Sequence, residues 1–209
     1  MLITSIVFRV LPLLMAFARQ DLILKEPHVK EQEGYFDNYV EQQKSQQVEI
    51  SYFPVYGETP SGVRKYLSEN GFVGRDNVRY DAYTEWQIRW KWPLRSKQPD
   101  LKRVKVEIFV HVHLPEWKNS LPTSDPVYQS WLTYLDAVKS HEFGHVRQAI
   151  YHKDKLKREF SRLAALGKAL SSEEANKFAS TIIREAQATD ELYDFLTKHG
   201  ASQGAKWPG

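Results

Sequence analysis

The sequence predicts an α+β domain in which a small antiparallel sheet packs on a C-terminal helical hairpin. Two stretches, residues 83–92 and 103–115, carry the two-residue period of strands. From Tyr128 the apolar positions change to steps of three and four. A break at residues 167–174 divides that region into two helices.

The chain has 209 residues, 42% hydrophobic and 13% aromatic, enough for one packed domain. Its net charge is +3, with Lys and Arg scattered along the chain. That pattern suits a solvated surface and argues against a nucleic-acid partner. There is no cysteine, so disulfides and thiolate metal ligands are excluded.

The first 18 residues have the layout of a cleavable secretory signal. Arg9 precedes a short apolar run from Val10 to Met15, the triplet Ala16-Phe17-Ala18 follows, and Arg19 to Asp21 is polar. The run is short for spanning about 30 Å of hydrocarbon. The expectation is a secreted or periplasmic protein, with no stable membrane insertion of the mature chain. Residues 19–46, rich in Glu, Gln and Lys, form a polar lead-in, and residues 47–209 form the domain.

Within the domain, VEISYFPVYG alternates Val48, Ile50 and Tyr52 on one face, a strand. A helix follows: Thr59 suits its N-cap, Pro60 its first position and Gly71 the position after its last turn. Val63, Tyr66 and Leu67 give it an apolar face. In YTEWQIRWKW, Trp86, Ile88, Trp90 and Trp92 share a face that reads as core. In RVKVEIFVHVHLP, Val104, Val106, Ile108, Val110, Val112 and Leu114 oppose Phe109, His111 and His113. The loop PLRSKQPDLK is long for a hairpin but joins strands that suit antiparallel neighbours. The long helix runs from about Tyr128 to Leu166. Gly167 ends it, and Ser171 with Glu174 forms a capping box for a last helix over about 172–198.

The long helix contains SHEFGH. His141 and His145 lie four residues apart, on one helix face, where both can reach one ion. Zinc takes imidazole at about 2.0–2.1 Å, and catalytic zinc sites keep one position for water. Glu142, beside the first ligand, can act as general base on that water without being a ligand. Gly144 carries a helix-propensity penalty of roughly 1 kcal/mol, which points to a close approach by some other group.

A third protein ligand is needed. If the two C-terminal helices turn near Lys168, position n faces roughly 336 minus n, and Phe143 faces Tyr193. Asp194, beside that point, is the favoured ligand. His199 is the alternative if the helix end unwinds, and Glu191 and Glu185 are further candidates on the same helix. Tyr193 suits a transition-state or supporting role. His152 reads as a surface or supporting residue. His111 and His113 read as sheet-face packing, as the lining of a cleft, or as a separate metal pair.

Five stretches together resemble the bacterial predicted secreted zinc-dependent proteases long catalogued as a domain of unknown function. They are YFPVYGETPSGVRKYL, YDAYTEWQIRWKW, the strand ending HLPEW, WLTYLDAVKSHEFGH and YDFLTKHGASQGA. The resemblance implies a zincin-like site with Zn2+ at His141 and His145 and Glu142 as its glutamate. It also maps a tail motif onto Tyr193, Asp194, Thr197, His199 and Gly200. The metzincin extension is missing, since positions 148 and 151 are Gln148 and Tyr151. The reading is a zinc metallopeptidase acting on peptide or protein substrates outside the cytoplasm. A zinc amidase acting on cell-wall peptide and a non-enzymatic secreted binding protein are its rivals.

Overall fold

The computed structural model describes residues 48–74 and 76–208. The expected signal segment and polar lead-in therefore lie outside the described residues. Among the described residues, no helix is long and apolar enough to cross a membrane.

The fold is α+β, a small sheet packed on a long C-terminal helix pair. Strand β1 spans Val48–Val55, and helix α1 spans Pro60–Asn70. The Thr59 side chain accepts a bond from the Gly62 N–H and caps α1, whose first residue is Pro60. A short ribbon, β2 (Phe72–Val73) with β3 (Arg79–Tyr80), leads into β4, Tyr83–Lys91. The long loop folds into its own ribbon, β5 (Leu94–Arg95) and β6 (Gln98–Pro99). Ser96 and Lys97 turn that ribbon with φ of 50° and 66°, the left-handed pair of a type I′ hairpin turn.

Strand β7, Lys105–Trp117, lies at the centre of the main sheet. It pairs antiparallel with β4, as expected. It pairs parallel with β1, so the sheet is mixed rather than antiparallel throughout. The two-residue period reveals which side chains share a face but not which way a strand runs. Here α1 and the first ribbon carry the chain from β1 on one edge to β4 on the other. On β7, Ile108, Val110, Val112 and Leu114 are buried and alternate with half-buried Phe109, His111 and His113.

Helix α2, Pro126–Ala165, is capped by the Asp125 side chain, which accepts from the Val127 N–H. Helix α3, Ser172–Thr197, begins with the expected capping box between Ser171 and Glu174. Beyond it Lys198, His199 and Gly200 all have positive φ, which turns the chain sharply. A short 3-10 turn, Ala201–Gln203, follows. The tail then returns to the core, where Trp207 is buried and donates to the Pro60 carbonyl at 2.8 Å. It joins Trp117, Trp131 and Tyr134 in one aromatic cluster.

Trp86 and Trp90 are half-buried rather than central to the core. Their indole N–H groups donate to Asp190 and Asn176 on α3, so the tryptophan face ties β4 to that helix.

Candidate metal centre

Helix α2 places His141, Glu142 and His145 at mid-length, each about 5% exposed. Ionisable groups survive such burial only when paired or bonded to a metal. Helix α3 supplies the pairing. Asp194 Oδ1 lies 3.1 Å from His141 Nε2 and 3.1 Å from His145 Nε2. The two Nε2 atoms are 3.3 Å apart. Around a tetrahedral ion with bonds of about 2.0–2.1 Å, neighbouring ligand atoms are about 3.3 Å apart. The triangle thus has the dimensions of three ligands on one ion. Two imidazoles and a carboxylate suit zinc and several other divalent ions.

The remaining ring nitrogens are also engaged. His145 Nδ1 lies 2.7 Å from Asp190 Oδ1, and Asp190 Oδ2 accepts from the Trp86 indole at 3.2 Å. His141 Nδ1 lies 3.0 Å from Gln203 Oε1. Each Nδ1–H thus donates to an oxygen, which leaves each Nε2 able to face an ion. In the metal-free state, burial disfavours a charged His145, but the bonds with Asp190 and Asp194 outweigh burial and raise it to about 10. Burial works against a charged Asp194 as well. Hydrogen bonds from His141 and His145 win and hold it well below the usual carboxylate range.

Glu142 accepts a 2.6 Å bond from the Thr84 hydroxyl of β4. Burial raises its pKa, partly offset by the two histidines and by Thr84. Thr84 fixes Oε2 and so orients the carboxylate. Both side chains line a cleft of about 590 Å³ with His141, His145 and Asp194. Tyr80, Tyr83, Glu191, Phe195 and His199 form further wall.

Gly144 has a specific partner. A Cβ there would lie 2.2 Å from Tyr193 Oη and 2.4 Å from its Cζ, so it is Tyr193 that requires the glycine. The Tyr193 ring stacks on His141, with centroids 5.1 Å apart and an interplanar angle of 11°. Its hydroxyl donates to the His141 carbonyl at 3.3 Å and accepts from Gln203 Nε2 at 3.2 Å. Tyr193 does not line the cleft and stacks against His141. Gly200 does similar work from the tail: its φ is +78°, and a Cβ would lie 2.9 Å from His141 Cγ.

The other candidates fall elsewhere. His199 Nδ1 stands 3.6 Å from Asp194 Oδ2, on the opposite oxygen from the triangle, with its side chain 61% exposed. Glu191 lines the cleft outside the triangle, and Glu185 pairs with Lys155. His152 is buried rather than on the surface, where its Nδ1–H donates to the Gln148 carbonyl. Three supporting residues were not among the sequence candidates: Asp190, Gln203 and Thr84. Asp190 alone had a signal, since it lies one helical turn before Asp194 and shares its face.

Residues 50–200 match the model of a family described as "Bacterial protein of unknown function (DUF922)". No curated protein and no solved structure matches the chain.

Proposed function

The chain belongs to this bacterial family of unknown function, and from that premise we propose that it is a zinc-dependent peptidase. One observation carries the reading: the triangle of His141, His145 and Asp194 lies in a cleft with a buried carboxylate, Glu142, beside it. A divalent ion held there supplies Lewis-acid polarisation of an amide carbonyl and of water.

The chain's own residues do the rest. Glu142 removes a proton from the attacking water and later delivers it to the leaving amine. Thr84 holds that carboxylate in one orientation through its bond to Oε2. Asp190 and Gln203 hold the two imidazoles with Nε2 toward the ion. Tyr193 and Gly144 set the spacing between α3 and α2, and so the reach of Asp194.

The reading puts the activity outside the cytoplasm, on peptide or protein substrates, supported by Arg9, the apolar run to Met15 and Ala16-Phe17-Ala18. The test is degradation of casein by the purified chain, before and after chelation and after zinc is restored. Loss on chelation and recovery with zinc is expected. Casein left intact while purified peptidoglycan is cut would replace the peptidase with the amidase. Activity indifferent to chelation would end both.

A further inference from the structure

The sheet face turned away from α2 carries a second set of ligating groups. Thr84, opposite Val112, points to α2 and meets Glu142; its neighbour Glu85, opposite His111, points the other way. His111 and His113 lie two residues apart on β7 and share that outer face. Ser51 of β1 sits opposite His113. Its Oγ is 2.9 Å from His111 Nε2 and 2.9 Å from His113 Nδ1. A hydroxyl oxygen has two lone pairs and can accept from both rings at once. In that tautomer, His111 Nδ1 and His113 Nε2 are left with free lone pairs.

His113 Nε2 is buried, makes no hydrogen bond, and lies 3.6 Å from Glu85 Oε1. Two ligands on one tetrahedral ion are spaced by about 3.3 Å. The ligand atoms that Glu85, His111 and His113 offer lie within 4.8 Å of one another. The two imidazoles are 3.8 Å apart between centroids, and Phe72 stacks on His113 at 4.0 Å. Ring packing alone explains the stacking but leaves His113 Nε2 buried with only the 3.6 Å approach to Glu85. A buried polar atom that makes no hydrogen bond costs about 1–3 kcal/mol.

We propose that Glu85, His111 and His113 form a second, structural site for a first-row divalent ion such as zinc, with Ser51 orienting both rings. The ion would tie β4 to β7 beside Thr84, the residue that holds Glu142. Nothing in this site depends on the first centre.

The test is equilibrium dialysis of the full chain against Zn2+ alone, with metal analysis. The native chain is expected to bind about two equivalents and the His141→Ala/His145→Ala chain about one. Glu85→Gln and His113→Gln each remove about one equivalent from the native chain. Ser51→Ala, which removes only the shared acceptor, weakens one site by about 10–100-fold and guards against a misfolded variant. Zinc binding by the native chain that none of Glu85→Gln, His113→Gln and Ser51→Ala alters overturns the proposal, as does no zinc binding at all. A single equivalent that is lost with His113→Gln and kept in the His141→Ala/His145→Ala chain supports this site and removes the first.

Discussion

Replacing Gly144 by alanine tests how the two long helices meet. In an ordinary helix interior this change stabilises by about 1 kcal/mol. Here the new methyl would lie 2.2 Å from Tyr193 Oη, 2.4 Å from Cζ and 2.7 Å from Cε1. Those atoms cannot swing away freely: Tyr193 is 6% exposed, its ring is stacked on His141 and its hydroxyl is bonded twice. Overpacking of this kind costs about 1–3 kcal/mol. Two disturbed hydrogen bonds add about 1 kcal/mol each. After the propensity gain, a net loss of about 2–4 kcal/mol is expected. For a domain of this size that lowers Tm by about 5–15 °C. Thermal unfolding of metal-free Gly144→Ala measures it. In a double-mutant cycle, Tyr193→Leu should recover part of the loss, because the clash is then relieved. A Gly144→Ala chain as stable as the native one, or more stable, would refute the packing described for Tyr193.

Three further outcomes are expected. Asp190→Asn, which keeps the shape but loses the charge beside His145 Nδ1, should weaken metal binding by about 10–100-fold in a competition titration. Thr84→Val should leave metal content unchanged and lower turnover, since it frees Glu142 without touching a ligand. Metal uptake at pH 7 should release a proton, because His145 holds one up to about 10 in the metal-free chain and the ion takes the neutral ring. Calorimetry in buffers of different ionisation heat detects that release. The same shift has a stability sign. The raised His145 value supports the metal-free fold below its ordinary value of 6.5, and that support is lost as pH rises through about 10. Asp194 acts oppositely, its support present above 3.8 and lost as pH falls through its lowered value.

The helix pair was legible because two signals agree there: the three- and four-residue period and the cap at Ser171 with Glu174. Treating the pair as an antiparallel hairpin places Asp194 beside the histidines. The observed partners Gly144/Tyr193 and His145/Asp190 fall within about one residue of that reflection. The same geometry argues against His199, six residues past Tyr193, and it is found at the cleft rim with its side chain 61% exposed. Other features had no local signal. The direction of β1 is set by a crossover, not by a period. Thr84 meets Glu142 across 58 positions of sequence, by sheet-to-helix packing alone. Gln203 reaches His141 only because three successive residues with positive φ fold the tail back, and one of them, Lys198, is a residue type that rarely adopts it.

In the proposed function, Glu142 does chemistry beside a metal that it does not bind. Its most direct test measures zinc content and peptide hydrolysis together in Glu142→Gln. The account predicts zinc content equal to that of the native chain and hydrolysis lower by about 10²–10⁴-fold. Hydrolysis at the native rate in the zinc-loaded variant would contradict it.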